Sequence, residues 1–247
     1  MSTPIDSFSP ADRRGSHSHP LSNAWVPLAQ WLAILAMSQE HAIKFIWPDS
    51  PAVPWAILVG RIAFPLFAGM VAWHLLHNTR HPLRYGCRLL LVGLVAQLPY
   101  ALVVTPDKLN VCFTLGLGLL AVVTFANLRE RALQLAAGIL ALIAAGATAP
   151  YLEYGLCGLL LVPALVVAFR YPQHTLAAIP ALLLSVLINA TPAAMAISLA
   201  TTAVLILLTN GSLVWRLPIP AIPRPLRLSW YPLHLLVITL ATGGITS

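Results

Sequence analysis

Apolar runs of about 18 or more residues, broken by short polar turns, constrain this chain more than any other feature of it. Runs of that length match the hydrocarbon thickness of a bilayer. The mean hydropathy is +0.83, and only 9% of the 247 residues are charged, where an ordinary soluble domain has about 25%. The expected fold is therefore all-α, a polytopic integral membrane bundle occupying 23–247 as a single domain. A polar tail, 1–22, precedes it. The tail lacks the apolar stretch of a signal peptide, so it reads as cytoplasmic, with His17 and His19 solvated rather than metal-binding.

Turn residues divide the chain. The first span is expected at about Ala24 to Trp47, closed by Pro48-Asp49-Ser50-Pro51, which cannot continue a helix. Further spans follow at about Val53 to His77, Cys87 to Val104, Leu109 to Asn127 and Ala132 to Ala149. A sixth ends at Arg170, and two more cover Thr175 to Ile188 and Ala193 to Thr209. A Pro-rich connection from Asn210 to Ser229, extended in the polyproline manner, leads to a last run from Trp230 to about Ile245. That makes nine spans, or eight if the last run is re-entrant, as Pro232, His234 and Gly243-Gly244 would allow. Arg13, Arg14, Arg80, Arg84, Arg88, Arg129, Arg131, Arg170, Arg216, Arg224 and Arg227 all fall in alternate connections, whereas the others hold a single cation, Lys108. By the positive-inside rule the arginine-rich side, with the N-terminus, is cytoplasmic.

The net charge of +7 thus reads as membrane orientation, and no nucleic-acid partner is expected. Cys87, Cys112 and Cys157 are too few and too scattered for a disulfide framework or a metal signature. No zinc spacing, phosphate-binding loop or nucleophile elbow is present, so no metal is expected.

Glu40-His41 is the energetic anomaly. An ionisable side chain inside a bilayer costs roughly 2.5–3.5 kcal/mol on insertion scales and usually lines a protected path. Lys44 stands one turn later on the Glu40 face, a spacing that permits a pair. Arg61 in the second span lies at comparable depth and is better placed to neutralise Glu40, since buried charges need partners. Glu40 and His41 diverge by about 100° on a helix, so Glu40 is not automatically the group that orients the imidazole. An imidazole beside a carboxylate and a guanidinium suits acyl transfer: His41 as base towards an amine or hydroxyl, Arg61 or Lys44 steadying the charge on the carbonyl oxygen. Paired interfacial residues snorkelling to water are the alternative. His74 and His77, near Arg80, His81, Arg84 and Arg88, form either ordinary loop charge or a cationic pocket for the phosphates of a donor such as coenzyme A. His234 is a polar residue of the last run at inner depth, open to a core or a site role. Asn110 and Thr114 open the fourth span at the depth of Glu40, where Asn often only bridges helices.

An ordered set of short blocks resembles the TraX proteins of conjugative plasmids, within the wider group of multipass membrane acyltransferases. Met37-Ser38-Gln39-Glu40-His41 is similar to the family's Met-x-x-Asp-His, with Glu for Asp. Gly60-Arg61-Ile62-Ala63-Phe64-Pro65-Leu66-Phe67-Ala68 is similar to its Gly-Arg-x-Ala-Phe-Pro-x-Phe-Ala block. Blocks at Tyr85 to Leu89, Gln97 to Tyr100, Leu109 to Leu115 and Tyr231 to His234 follow in the family's order. The resemblance implies a protein of the bacterial inner membrane that acetylates the N-terminal amine of processed pilin, with acetyl coenzyme A as cytoplasmic donor. It implies His41 as catalytic base with Glu40 and Arg61 around it, and Lys44, Asn110, Thr114, Tyr100 and His234 towards the acceptor. Arg84, Arg88, His77 and Gln30 fall on the donor side.

Gln30 is a departure. The wider group carries Lys or Arg eleven residues before the histidine, and here that position is Gln30. Either Arg13, Arg14, Arg84 or Arg88 substitutes, or another acyl donor is used, including the pilin's own C-terminal end in a head-to-tail amide closure. Two readings from other classes stand beside the enzyme: a proton-coupled transporter and a non-catalytic pilin-binding chaperone.

Overall fold

The computed structural model describes residues 24–215 and 217–243. The expected tail, with Arg13, Arg14, His17 and His19, lies outside them, as do Arg216 and the end of the chain from Gly244. Ten α-helices make up the described residues: α1 (Trp25–Ile46), α2 (Val53–Gly60), α3 (Ala63–His77), α4 (Pro82–Val103), α5 (Val111–Asn127), α6 (Arg131–Thr148), α7 (Gly155–Arg170), α8 (Ile179–Leu187), α9 (Pro192–Thr209) and α10 (Arg224–Ala241). The expected all-helical class is present.

Four segments are long and apolar enough to cross a membrane: Val53–His77, Pro82–Val103, Arg131–Tyr151 and Pro192–Thr209. Three shorter apolar helices, Val111–Asn127, Gly155–Arg170 and Thr175–Leu187, lie among them. Only 6% of the Arg131–Tyr151 window is buried. A helix that is both so apolar and so exposed has lipid as its natural surroundings. α1 and α10 are long, 22 and 18 residues, but their polar residues reduce their hydropathy: Glu40, His41 and Lys44 in one, Arg224, Arg227 and His234 in the other.

Three boundaries differ from the sequence expectation. α4 begins at Pro82, taking in Arg84 and most of the turn assigned to its approach, because proline is well tolerated in the first turn of a helix. α10 begins at Arg224 for the same reason, with Pro225 in its first turn. Only the stretch before it is an irregular connector; it is fastened to α1 where the Trp31 indole donates to the Pro220 carbonyl at 3.0 Å. Because α10 starts six residues early, His234 falls well inside the helix.

The third difference matters most. The second span is not one helix: α2 ends at Gly60, Arg61 and Ile62 form a turn, and α3 starts at Ala63. Pro65 supplies the physical cause. Having no N–H, it cannot bond the carbonyl four residues earlier, which is that of Arg61. The Ser198 hydroxyl of α9 donates to this freed carbonyl at 3.1 Å, and Asn189 in turn donates to Ser198 at 2.9 Å. Irregular backbone at membrane depth is tolerated where the protein satisfies it in this way.

Gly60, just before the break, is required by close approach. A Cβ there would collide with the Glu40 carboxylate of α1, whereas one on Gly146, on the exposed helix α6, would meet nothing within 4 Å. Gly60→Ala is therefore expected to destabilise the protein by about 1–3 kcal/mol through overpacking, seen as a lower unfolding temperature in detergent. Gly146→Ala should leave that temperature no lower, since Ala is the better helix former and meets nothing there.

Candidate active site

The Arg61 guanidinium, turned towards α1 at the break, forms an ion pair with Glu40. Its Nε donates to the Ile57 carbonyl at 3.2 Å, so the fork is held from both sides. The expected preference of Glu40 for Arg61 is met. Lys44 is exposed and sits over the Phe45 ring, 4.9 Å from its centroid, away from the pocket wall.

His41 has a different partner. Its Nδ1 lies 3.0 Å from Nε2 of His234, with the two rings within 9° of parallel. One turn below, the Trp230 indole donates to the Ser38 hydroxyl at 2.8 Å. The two contacts pair Ser38 with Trp230 and His41 with His234, so α1 and α10 run parallel in a fixed register. His234 was expected at inner depth, apart from His41; the early start of α10 brings the two to one level.

The bonds determine the tautomers. His234 Nδ1 lies 3.0 Å from the Trp230 carbonyl, which can only accept, so that nitrogen carries the proton. In the neutral ring Nε2 must then accept, and His41 Nδ1 donates to it. His41 is left with a lone pair on Nε2, the form a general base needs.

A small space of about 20 Å³ lies beside His41, bounded by Met37, Glu40, Gly60, Ala63, Phe64, Phe67, Val111, Glu153, Tyr154 and Tyr231. Glu153, in the short connection between α6 and α7, is therefore a wall residue. Its loop and the one before α5 are zipped together: Leu109 donates to Tyr151 at 2.7 Å, Glu153 to Leu109 at 3.2 Å, and Leu109 pairs with Leu152 in a parallel bridge. In this turn between helices, burial first and the Glu40 charge second push the Glu153 carboxyl up to about 7, against the Val111 backbone N–H and Arg61, which pull it down. No sequence signal marks Glu153; only the pairing of two distant loops turns it inwards.

A larger cavity of about 600 Å³ opens at the arginine-rich end. Arg80, Arg84, Arg88, Arg224 and Arg227 line its mouth and Gln30, Met37, Phe67, Val111 and Tyr231 its deeper wall. The last four also wall the His41 space, so the two cavities adjoin across these side chains. Gln30, Arg84 and Arg88 are where the donor side was expected. His77 is not among the lining residues: it stacks on Trp73 at 3.6 Å, while His74, one turn earlier, faces the cavity. Arg224 and Arg227 were read as loop charges, and helix α10 carries them to the mouth.

The acceptor-side candidates divide. Asn110 is committed to packing: its amide donates to Gly93 at 2.7 Å and to Gln97 at 2.9 Å, and its oxygen accepts from Cys112 at 3.0 Å, capping α5. Thr114 is fully buried beside Gly158, between α5 and α7, and lines neither cavity. Tyr100, also buried, leaves its hydroxyl without a partner next to Glu153. Among the described residues no cluster of three or more metal-ligating side chains occurs.

These features define a helical membrane protein with a partly buried histidine pair, a carboxylate–guanidinium pair and a cationic cavity adjoining the space beside them. The family described as TraX protein matches residues 27–242, and the chain belongs to it. The family is associated with pilin processing in plasmid conjugation. No curated protein and no solved structure matches the chain.

Removing one member of a buried ion pair leaves the other charge uncompensated, at roughly 3–5 kcal/mol. Arg61→Met should therefore sharply reduce the folded yield in detergent. The Arg61→Met/Glu40→Gln double variant should recover much of it, a coupling that a double-mutant cycle on unfolding midpoints measures.

Proposed function

We propose that this protein is an acyltransferase of the bacterial inner membrane that modifies the N-terminal amine of pilin, with His41 as general base. The wall that the arginine-lined cavity shares with the His41 space carries this reading. A cationic mouth and an apolar shaft end at a histidine whose free nitrogen is set by its neighbours. The N-terminus is cytoplasmic, which puts the arginine-rich mouth on the side where an acyl coenzyme A is available.

The residues fit such a donor. Five arginines suit a nucleotide's phosphates, and Gln30 Oε1, buried without a partner on the cavity wall, is an acceptor awaiting a donor such as an amide N–H. From Gln30 to His41 is eleven residues of helix, about 16 Å, within reach of a pantetheine arm. Acetyl coenzyme A supplies an activated acyl carbon. The five-arginine mouth supports a coenzyme A donor despite the Gln30 departure, and on that ground acetylation is favoured over head-to-tail closure.

At the deep end His41 Nε2 would take the proton that the neutral amine loses as it forms the amide bond and return it to the coenzyme A thiolate released when the thioester C–S bond breaks. His234 stabilises the imidazolium by accepting from Nδ1, as its own Nδ1–H is anchored on Trp230. Arg61 stands behind Glu40 rather than on the pocket wall, so its part is to hold that carboxylate. Tyr231, buried at the junction with its hydroxyl unpartnered, is placed to donate to the carbonyl oxygen where charge develops.

His41→Ala is expected to insert normally but lower pilin modification by about 100-fold or more, read by intact mass of co-expressed pilin. His234→Ala should lower kcat with less effect on KM, and His234→Gln, whose side chain can still accept, should lose less. Full modification in the His41→Ala strain would refute the assignment. Arg88→Gln and Arg227→Gln should each raise the donor KM with kcat little changed, measured on purified protein with acetyl coenzyme A.

A further inference from the structure

The His41 space holds two carboxylates, Glu40 and Glu153, but Arg61 is committed to only one of them. Glu153 keeps Oε2 buried with no hydrogen bond of good geometry and no cation beside it; the neutral Tyr100 hydroxyl is its polar neighbour. The other cation nearby, Lys44, points to the surface over Phe45. The loop pairing at Leu109 and Leu152 fixes Glu153 in this position, so a side-chain rotation into solvent is not its resting arrangement.

The rest of the wall suits a cation as well. Tyr231 is 93% buried, as its 7% exposure implies, and its hydroxyl has no partner. A hydroxyl has lone pairs to accept from an N–H in addition to the one proton it can donate. Phe64 and Tyr154, stacked with centroids 3.9 Å apart, complete an aromatic side, and aromatic faces attract ammonium groups. The volume of about 20 Å³ has room for one group the size of a water molecule or an ammonium.

We infer that Glu153, with Tyr231 and the Phe64–Tyr154 wall, is the binding site for the acceptor's α-ammonium group, so that the pocket selects a primary amine over a hydroxyl or an already acylated terminus. The inference rests on the acyl-transfer reading for its biological sense, but not for its test. Glu153 accepts from the ammonium through Oε2, and the ammonium balances the carboxylate charge that Arg61 leaves uncompensated. The same residue brings the amine to within the space that His41 borders. No bond is made or broken in this step.

The test is equilibrium binding to the purified full-length protein in nanodiscs, without acyl donor. The probe is a synthetic peptide with the N-terminal sequence of mature pilin, compared with the same peptide N-acetylated. The wild type is expected to bind the free-amine peptide about tenfold or more tightly than the acetylated one. Glu153→Gln, close in shape and still able to accept from Val111, should abolish that preference and leave acetyl coenzyme A binding unchanged. A preference that survives in Glu153→Gln overturns the inference. Should that variant fail to fold, competition on the wild type decides: ethylammonium displaces the free-amine peptide where ethanol at equal concentration does not. Equal displacement by both, or by neither, also overturns it. If the preference depends on Glu153 but pilin mass never changes, the amine site stands and the acyl-transfer reading falls. If pilin is modified but the preference is absent, the reverse holds.

Discussion

The Glu40–Arg61 pair is the constraint on which the rest of this structure depends. Two charges taken out of water gain from one another only when the geometry is good and their remaining hydrogen-bonding groups are satisfied. Here that requirement reaches into three other elements. Gly60 must lack a side chain so that the carboxylate can lie against α2. Pro65 must break the span so that Arg61 sits on a turn, and Ser198 must take the carbonyl that the break releases. A regular second helix, without Pro65, would return the Arg61 carbonyl to the backbone and leave Ser198 without this role.

With Glu40 occupied by Arg61, His41 depends on the opposite side of α1. The contacts of Ser38 with Trp230 and of His41 with His234 settle the register of α10 against α1. That register does two jobs at once. It sets the tautomer of His41 from a backbone carbonyl two residues removed in the chain of bonds, and it carries Arg224 and Arg227 to the mouth of the large cavity at the other end of the same helix. A shift of α10 by one turn would undo both.

Much of this was legible in the sequence, and the parts that were not have identifiable reasons. Apolar runs and turn residues gave most helices within a few residues, because hydropathy and proline act locally. The Glu40–Arg61 pair was inferable because a buried carboxylate at that depth has few cations to choose from. The break in the second span was written in the sequence as Pro65, but a proline within an apolar run reads equally as a tolerated kink. His234 was misplaced in depth because the start of α10 was set after Arg224-Pro225, a pair that the first turn accepts. Glu153 was invisible for another reason. Its role depends on Leu109 and Leu152 pairing across more than forty positions of sequence, and nothing periodic records a contact between two loops. Asn110 was drawn to the site by its depth, yet its amide is used up joining α4 to α5.

The form of the inner space bears on how an acyl group would survive in it. Water competes with an amine for any activated acyl carbon, and a site near a membrane surface is not dry by default. Apart from its polar groups, the wall of the His41 space is Met37, Ala63, Phe64, Phe67 and Val111, side chains that offer water no hydrogen bonds. At about 20 Å³ it admits one small group at a time, so an amine that enters displaces the water that would otherwise attack. Selection by charge then matters more than selection by shape: ammonium and water differ little in size, and the partner that Glu153 lacks separates them. On the proposed reading, exclusion of water follows from the small apolar wall, and choice of acceptor from a buried carboxylate with no cation beside it.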